Sequence, residues 1–260
     1  AAEALPMTEW DAQTYDHESA LQRSMAAKSL ANLTLRGDER VLDIGCGNAA
    51  VTAAIAARLP RGRVVGVDAS QHMIDFAMRA FPQVAHANLA FHVADAANLP
   101  FRDEFDLIVS FNCLHWVTDQ RAALRGIRTA LAPDGRTHLR FVPQGARPSL
   151  EDVIEQVRRA PAWQAHFRGY QAPYVHCDPR EYHLLAEATG LRVTRMDVQD
   201  EAWDFGSRAV FMHFAQATFV EWTRRIPSEL HGAFIRAALD RYGGSSNVFR
   251  FYQMEVELRR

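Results

Sequence analysis

The sequence predicts an α/β protein: a seven-stranded, mostly parallel sheet with helices on both faces and a helical cap formed by insertions. Three observations predict it. Short apolar runs alternate with helical stretches from residue 40 to 142, and a glycine pair follows the first run. The composition, 48% hydrophobic and 23% charged over 260 residues, is that of a chain able to bury a sizeable core.

The elements follow in order. Residues 11–33 place Leu21, Met25, Ala26, Leu30 and Leu33 at helical spacing and stop at Arg36-Gly37-Asp38. RVLDI (40–44) is a buried strand, Gly45-Cys46-Gly47 a turn, and 49–59 a helix stopped by Pro60 and Gly62. Strand 63–67, helix 70–81, and strands 90–93 and 105–110 continue the alternation, followed by helix 120–131 and strand 136–142. Strands joined by helices of this length require right-handed crossovers and hence a parallel sheet. Beyond Pro143 the rhythm changes. Helix 149–160, an aromatic loop and helix 179–189 precede strand 191–198, two helices (207–225 and 228–242) and an alternating strand, 248–258.

This order reads as one domain over 7–260, with an N-terminal helical segment (7–37), a ligand-binding core (40–142), cap insertions (143–180 and 207–243) and two closing strands. Met7 is a candidate start, since residues 1–6 match no pattern downstream.

Charge and cysteine content exclude several function classes. A net charge of -2 supplies no field for a nucleic-acid partner. Cys46, Cys113 and Cys177 are spaced too widely for a zinc or disulfide framework. No basic segment leads into an apolar one, and no apolar run reaches the ~18 residues of a membrane span, so a cytoplasmic protein without a membrane partner is expected. Most histidines lie singly on separate elements, so no metal is expected. The oligomeric state is left open.

The chemistry-bearing stretch is VLDIGCGNAA (41–50), with VVGVDAS (64–70) behind it. Glycines at a strand's end let a ligand approach the backbone, because no Cβ intervenes and positive φ costs nothing. Asp68 closes the second strand 21 residues beyond Gly47, where a carboxylate can accept both hydroxyls of a ribose. The spacing Gly45-x-Gly47-x-x-Ala50 also satisfies the loose dinucleotide fingerprint. Asp43, however, puts an anion beside the turn, where a pyrophosphate needs only N–H donors. A cationic ligand suits it better.

Asp43-x-Gly45-x-Gly47, then Asp68, Ala94-Asp95 and FDLIVSFNCLHW together resemble the class I methyltransferases dependent on S-adenosylmethionine, whose fold is Rossmann-like. Trp10, Tyr15, Gln22, the Leu114-His115-Trp116 triplet and YQAPY (170–174) resemble the trans-aconitate methyltransferase group, and juvenile hormone acid methyltransferases share several of these features. YDHESALQR (15–23) is similar to the biotin-pathway methyltransferase that esterifies malonyl-carrier protein. All three groups act on carboxylic acids. The resemblance implies S-adenosylmethionine as cofactor and a small carboxylic acid as methyl acceptor, with a hydroxyl or amine acceptor as the alternative. Asn48-Ala49 stands where a third glycine is usual, which keeps a non-catalytic binding protein open.

The resemblance also implies roles. Trp10, Tyr15 and Asp43 serve the cofactor, Asp43 at its amino end; Gly45 and Gly47 form the close turn; Asp68 and Ala69 meet the ribose. Met73 packs on the adenine, Asp95 and Ala96 bind its edge, and Asn112 lies beside the methionine portion. His115 either takes a proton from a hydroxyl or donates a hydrogen bond to a carboxylate, Gln22 donates to the substrate, and Trp116 excludes water. Tyr174 and His176 are candidate substrate contacts. Arg147, Arg168 and Arg250 are candidate carboxylate partners, chosen because a guanidinium fits a carboxylate bidentately. Trp163 to Tyr174, with Phe211, Phe214, Phe219 and Trp222, suit a lid.

Overall fold

A computed structural model describes residues 20–260. Its seven strands are β1 (Arg40–Ile44), β2 (Arg63–Asp68), β3 (Leu89–Val93), β4 (Phe105–Phe111), β5 (Leu131–Phe141), β6 (Arg192–Asp204) and β7 (Val248–Arg259). They form one sheet in the order β3-β2-β1-β4-β5-β7-β6. β1 to β5 pair in parallel, and β7 runs antiparallel between β5 and β6. The helices are α1 (Ala20–Ala31), α2 (Ala50–Ala57), α3 (Gln71–Ala80), α4 (Gln120–Ala130), α5 (Leu150–Arg158), α6 (Pro179–Ala188), α7 (Arg208–Thr218), α8 (Val220–Thr223) and α9 (His231–Gly243).

The central strands are apolar on both sides because both faces are covered. On β1, Val41 joins the core made with Ile55 and Ala56 of α2 and Ile74 and Ala77 of α3, whereas Leu42 and Ile44 join the core made with Leu124 and Ile127 of α4 and Tyr182 of α6. β4 divides likewise, with Leu107 and Val109 on the first side and Ile108 on the second. Each fully buried Leu, Ile or Val contributes about 1.5–3 kcal/mol. A separate apolar cluster joins Leu21 of α1 to α5, α7, α8 and α9 through Ile154, Phe211, Trp222 and Phe234.

Four boundaries differ from the sequence reading. β5 begins at Leu131, where Leu131 pairs with Phe105, so 131–135 is strand rather than helix end and turn. β6 continues past Val198 to Asp204 because β7 pairs with it throughout; as an exposed edge strand it carries polar Gln199, Asp200 and Glu201. The helix expected over 207–225 breaks at Phe219 (φ -101, ψ 36), which lets Phe219 and Trp222 both be buried. The N-terminal helix is described only from Ala20. Among the described residues, no helix is long and apolar enough to cross a membrane, and no three His, Cys, Asp or Glu side chains group as a metal site.

Candidate active site

The turns at the carboxyl ends of β1 to β4, with α1 and the segments after β5, enclose a cavity of about 610 Å³. The first turn is set by the backbone. Gly45 and Cys46 donate their N–H groups to the Val67 carbonyl at 2.8 and 3.0 Å. Gly45 has φ +77, and a Cβ there would collide with the Cys113 side chain at the end of β4, so only glycine lets these two turns meet. The position after Asn48, where a glycine is usual, also has left-handed backbone: Ala49 has φ 64 and is buried. The alanine is accommodated at a strain of about 1–2 kcal/mol.

Asp68 ends β2 with its carboxylate oriented by two N–H donors, Gly47 to Oδ2 at 3.0 Å and Ser70 to Oδ1 at 2.9 Å. Asp43 is 2% exposed and accepts the Thr52 hydroxyl at 2.7 Å. Burial, with the nearby Asp68 charge adding to it, pushes its carboxyl up to about 7, and the Thr52 bond only partly offsets this. Asp95 Oδ1 accepts the Ala97 N–H at 2.8 Å and so caps the short turn Ala96–Asn98. Asn112, with φ 58, donates its N–H to the Arg140 carbonyl at 2.7 Å, while its side-chain oxygen is buried without a partner.

After β4, Leu114–Trp116 forms a single 3-10 turn held by Gln120, whose Nε2 donates to the Leu114 and Val117 carbonyls, each at 2.6 Å. The His115 carbonyl accepts the Val175 N–H at 2.8 Å, which ties the segment beyond α5 to this turn. The His115 ring is 4% exposed, and its Nδ1 accepts the Val142 N–H at 3.4 Å. Burial, and then the neighbouring His176, hold its pKa well below the usual histidine value, so the ring is neutral. Trp116 meets Trp222 edge-on with centroids 6.2 Å apart. Trp222 is fixed in turn by donating Nε1 to Glu155 at 2.7 Å.

Asp43, Gly45, Gly47, Asp68, Ala69, Met73, Asp95, Ala96 and Asn112 all line the cavity, and so do Gln22, His115 and Trp116. Trp10 and Tyr15 lie outside the described residues. Tyr174 and His176 are not on the cavity wall. Tyr174 donates its hydroxyl to Asp152 at 2.8 Å and packs against the His176 ring at 4.6 Å, behind Trp116 and Trp222. None of the three candidate arginines reaches the cavity: Arg147 pairs with Asp200 and lies over the Tyr252 ring, Arg250 faces the same Asp200, and Arg168 is exposed. The cavity instead meets Arg225, which lies over Tyr170, together with Glu151, Glu221 and Gln253. Only proximity in the fold reveals these four, since they sit on α5, on and just after α8, and on β7, outside any local motif.

The wall built at the ends of the first four strands is rich in acceptors: Asp43, Asp68, Asp95, Asp119 and the unpartnered Asn112 oxygen. That set fits a ligand with a cationic amine, a ribose and an adenine edge, and gives a pyrophosphate no cation. A methyltransferase domain family matches residues 41–135. The chain is 33% identical over 221 residues to the trans-aconitate 2-methyltransferase of Methylobacterium nodulans, covering 84% of this chain and 79% of that protein. It is 27% identical over 175 residues to the juvenile hormone acid O-methyltransferase of Bombyx mori, covering 63% and 62%. The fold matches the crystal structure of the YcgJ protein from Bacillus subtilis with a TM-score of 0.66 at 19% identity, over 92% of this chain and 98% of that one. The acceptor-lined cavity at the strand ends, the sheet order and these relatives lead to one conclusion: the chain belongs to the class I S-adenosylmethionine-dependent methyltransferases.

Proposed function

We propose that the protein is a small-molecule O-methyltransferase that converts a carboxylic acid into its methyl ester. The observation that carries this reading is the state of His115. Its Nδ1 lone pair is engaged by the Val142 N–H and its ring is neutral, so the single ring proton sits on Nε2. Such a ring is a hydrogen-bond donor, not a base. A carboxylate needs no base, because it is already ionised at neutral pH, and it gains from a donor that orients it. Arg225, a guanidinium bordering the cavity, supports the same substrate class. So do the names of the relatives, which act on trans-aconitate and on juvenile hormone acid.

In this reading Asp43, Asp68, Asp95 and the Asn112 oxygen hold the cofactor, and Gly45 and Gly47 let it approach the turn. Bound S-adenosylmethionine supplies an electrophilic methyl carbon attached to a sulfonium. His115 and Gln22 align the acceptor oxygen, and Trp116 with Trp222 excludes water. Alignment of two bound reactants contributes about 7–11 kcal/mol, more than the ~3–5 kcal/mol of a general base, so a site without a base suffices. The apolar cluster of α5 and α7 to α9 forms the cap of a single domain, and the three free cysteines support a cytoplasmic location.

One observation favours a second reading. Glu151 and Glu221, both buried, border the same cavity, as would suit an amine or hydroxyl acceptor. Incubation with methyl-labelled S-adenosylmethionine and separate pools of acids, phenols and amines decides between the two. Label transferred to the acid pool supports the ester-forming reading; label confined to phenols or amines overturns it.

A further inference from the structure

One cavity-lining side chain has no part in the architecture or in the roles above. Gln253 on β7 is 1% exposed, borders the cavity, and has no hydrogen-bond partner at either Nε2 or Oε1. Its surroundings account for this. On the same side of the strand, Phe251 is apolar, and Glu255 faces Asn32 and Arg140. The register that pairs Phe141 with Met254 sets Gln253 beside Val142, the residue whose N–H holds His115. A buried amide with both edges unpaired is unfavourable and rare, and one that opens onto a ligand cavity awaits a ligand.

We propose that Gln253 binds the methyl acceptor, and that the acceptor is a carboxylic acid bearing a hydrogen-bond donor on the carbon next to its carboxyl group. The proposal rests on the carboxylate reading given above. A carboxamide presents N–H donors and a carbonyl acceptor side by side in one plane. Nε2 fits a carboxylate oxygen. Oε1 requires a donor, which a simple fatty acid lacks. The buried carboxylates of Glu151 and Glu221 are further acceptors bordering the same cavity. A hydroxyl or ammonium beside the carboxylate meets these acceptors within one small molecule, and a site with buried hydrogen-bonding groups discriminates against the analogue that leaves them unpaired.

The test is calorimetric titration of the S-adenosylhomocysteine-loaded protein with octanoate, 2-hydroxyoctanoate and 2-aminooctanoate. At least one substituted acid is expected to bind about tenfold or more tighter than octanoate, and comparison of the two identifies the donor. Gln253→Met should abolish that preference and also weaken octanoate, which loses the Nε2 bond to its carboxylate, while leaving the S-adenosylhomocysteine affinity within about threefold of its original value, a split that a folding defect would not produce. Gln253→Glu, which keeps the shape but brings a like charge to the acid, should weaken the 2-hydroxy acid by about tenfold or more. Equal binding of octanoate and both substituted acids overturns the donor requirement. A preference that survives both substitutions overturns the assignment to Gln253. Failure of all three acids to bind the loaded protein overturns the carboxylate reading itself, a result distinct from either of the others.

Discussion

The backbone N–H of Val142 donates to Nδ1 of His115 across 3.4 Å, and this bond assigns the imidazole proton to Nε2. Val142 follows directly on β5 and His115 lies in the turn after β4, so the pairing of two parallel strands sets the tautomer of a cavity side chain. The proposed carboxylate chemistry depends on that relationship.

His115→Asn keeps a side-chain donor, and turnover should fall by less than about tenfold; loss of a true general base would cost roughly 10²- to 10⁴-fold. With S-adenosylmethionine saturating at every pH, turnover should also show no single titration near the reference histidine value of about 6.5, because burial holds this ring neutral well below it. Steady-state rates from pH 5.5 to 8.5 on wild type and variant check both.

The same burial has a stability consequence. A histidine whose pKa is lowered by folding contributes stability that is present above its unfolded value, about 6.5, and is lost as pH falls from there toward the folded value. His115 and His138 are both lowered, chiefly by burial. Denaturant titrations should therefore show stability declining below about pH 6.5, by up to about 1.4 kcal/mol per pH unit for each ring, and His115→Asn should remove its share.

Asp43 works in the opposite sense. Its folded-state pKa is raised to about 7, so the contribution to ligand-free stability is present below the usual carboxylate range and is lost as pH rises through about 7. The ionised form suits the cofactor's ammonium. S-adenosylmethionine affinity should thus rise about tenfold per pH unit approaching pH 7 from below and then level off, whereas Asp43→Asn should bind weakly with a flat profile. A flat wild-type profile from pH 5.5 to 7.5 would contradict this role.

Asp68, oriented by the Gly47 and Ser70 N–H groups, is assigned to the ribose hydroxyls. Asp68→Ala should weaken S-adenosylhomocysteine binding by about 1.5–3 kcal/mol, the cost of removing charged acceptors from two donors. Wild-type protein should be thermally stabilised by S-adenosylhomocysteine and not by NAD.

Ala49 holds a left-handed backbone that alanine adopts only under strain. Ala49→Gly should relieve about 1–2 kcal/mol of that strain and lose about 0.4–1 kcal/mol to the greater freedom of the unfolded chain and about 0.8 kcal/mol with the buried methyl, so that stability stays within about 1 kcal/mol of wild type in chemical denaturation.

The first βα turn was legible in the sequence because glycines and aspartates at strand ends report local backbone and charge requirements. Gly45, Gly47, Asp43 and Asp68 lie close together in the chain and all reach the cavity. The acceptor end was not. Gln253, Arg225, Glu151 and Glu221 come together only through β7 and the helices beyond β5, and a lone glutamine in an alternating strand carries no local signal. Tyr174 and His176, expected as substrate contacts, lie off the cavity wall for the complementary reason. Their loop position suggested exposure to a ligand, yet Tyr174 is turned to Asp152 and backs the Trp116 and Trp222 wall, while the His176 ring packs on Tyr174 and beside the His115 ring. β6 was cut short because its edge position leaves its distal half polar.

The most direct test of ester formation is the chemical lability of the product. After turnover with methyl-labelled S-adenosylmethionine and the acid pool, mild base should release the label as volatile methanol, since methyl esters hydrolyse under conditions that leave methyl ethers and methylamines intact. Release of most of the incorporated label is the predicted result. Label that stays with the acceptor after base treatment would contradict carboxylate methylation and shift the site to hydroxyl or amine chemistry.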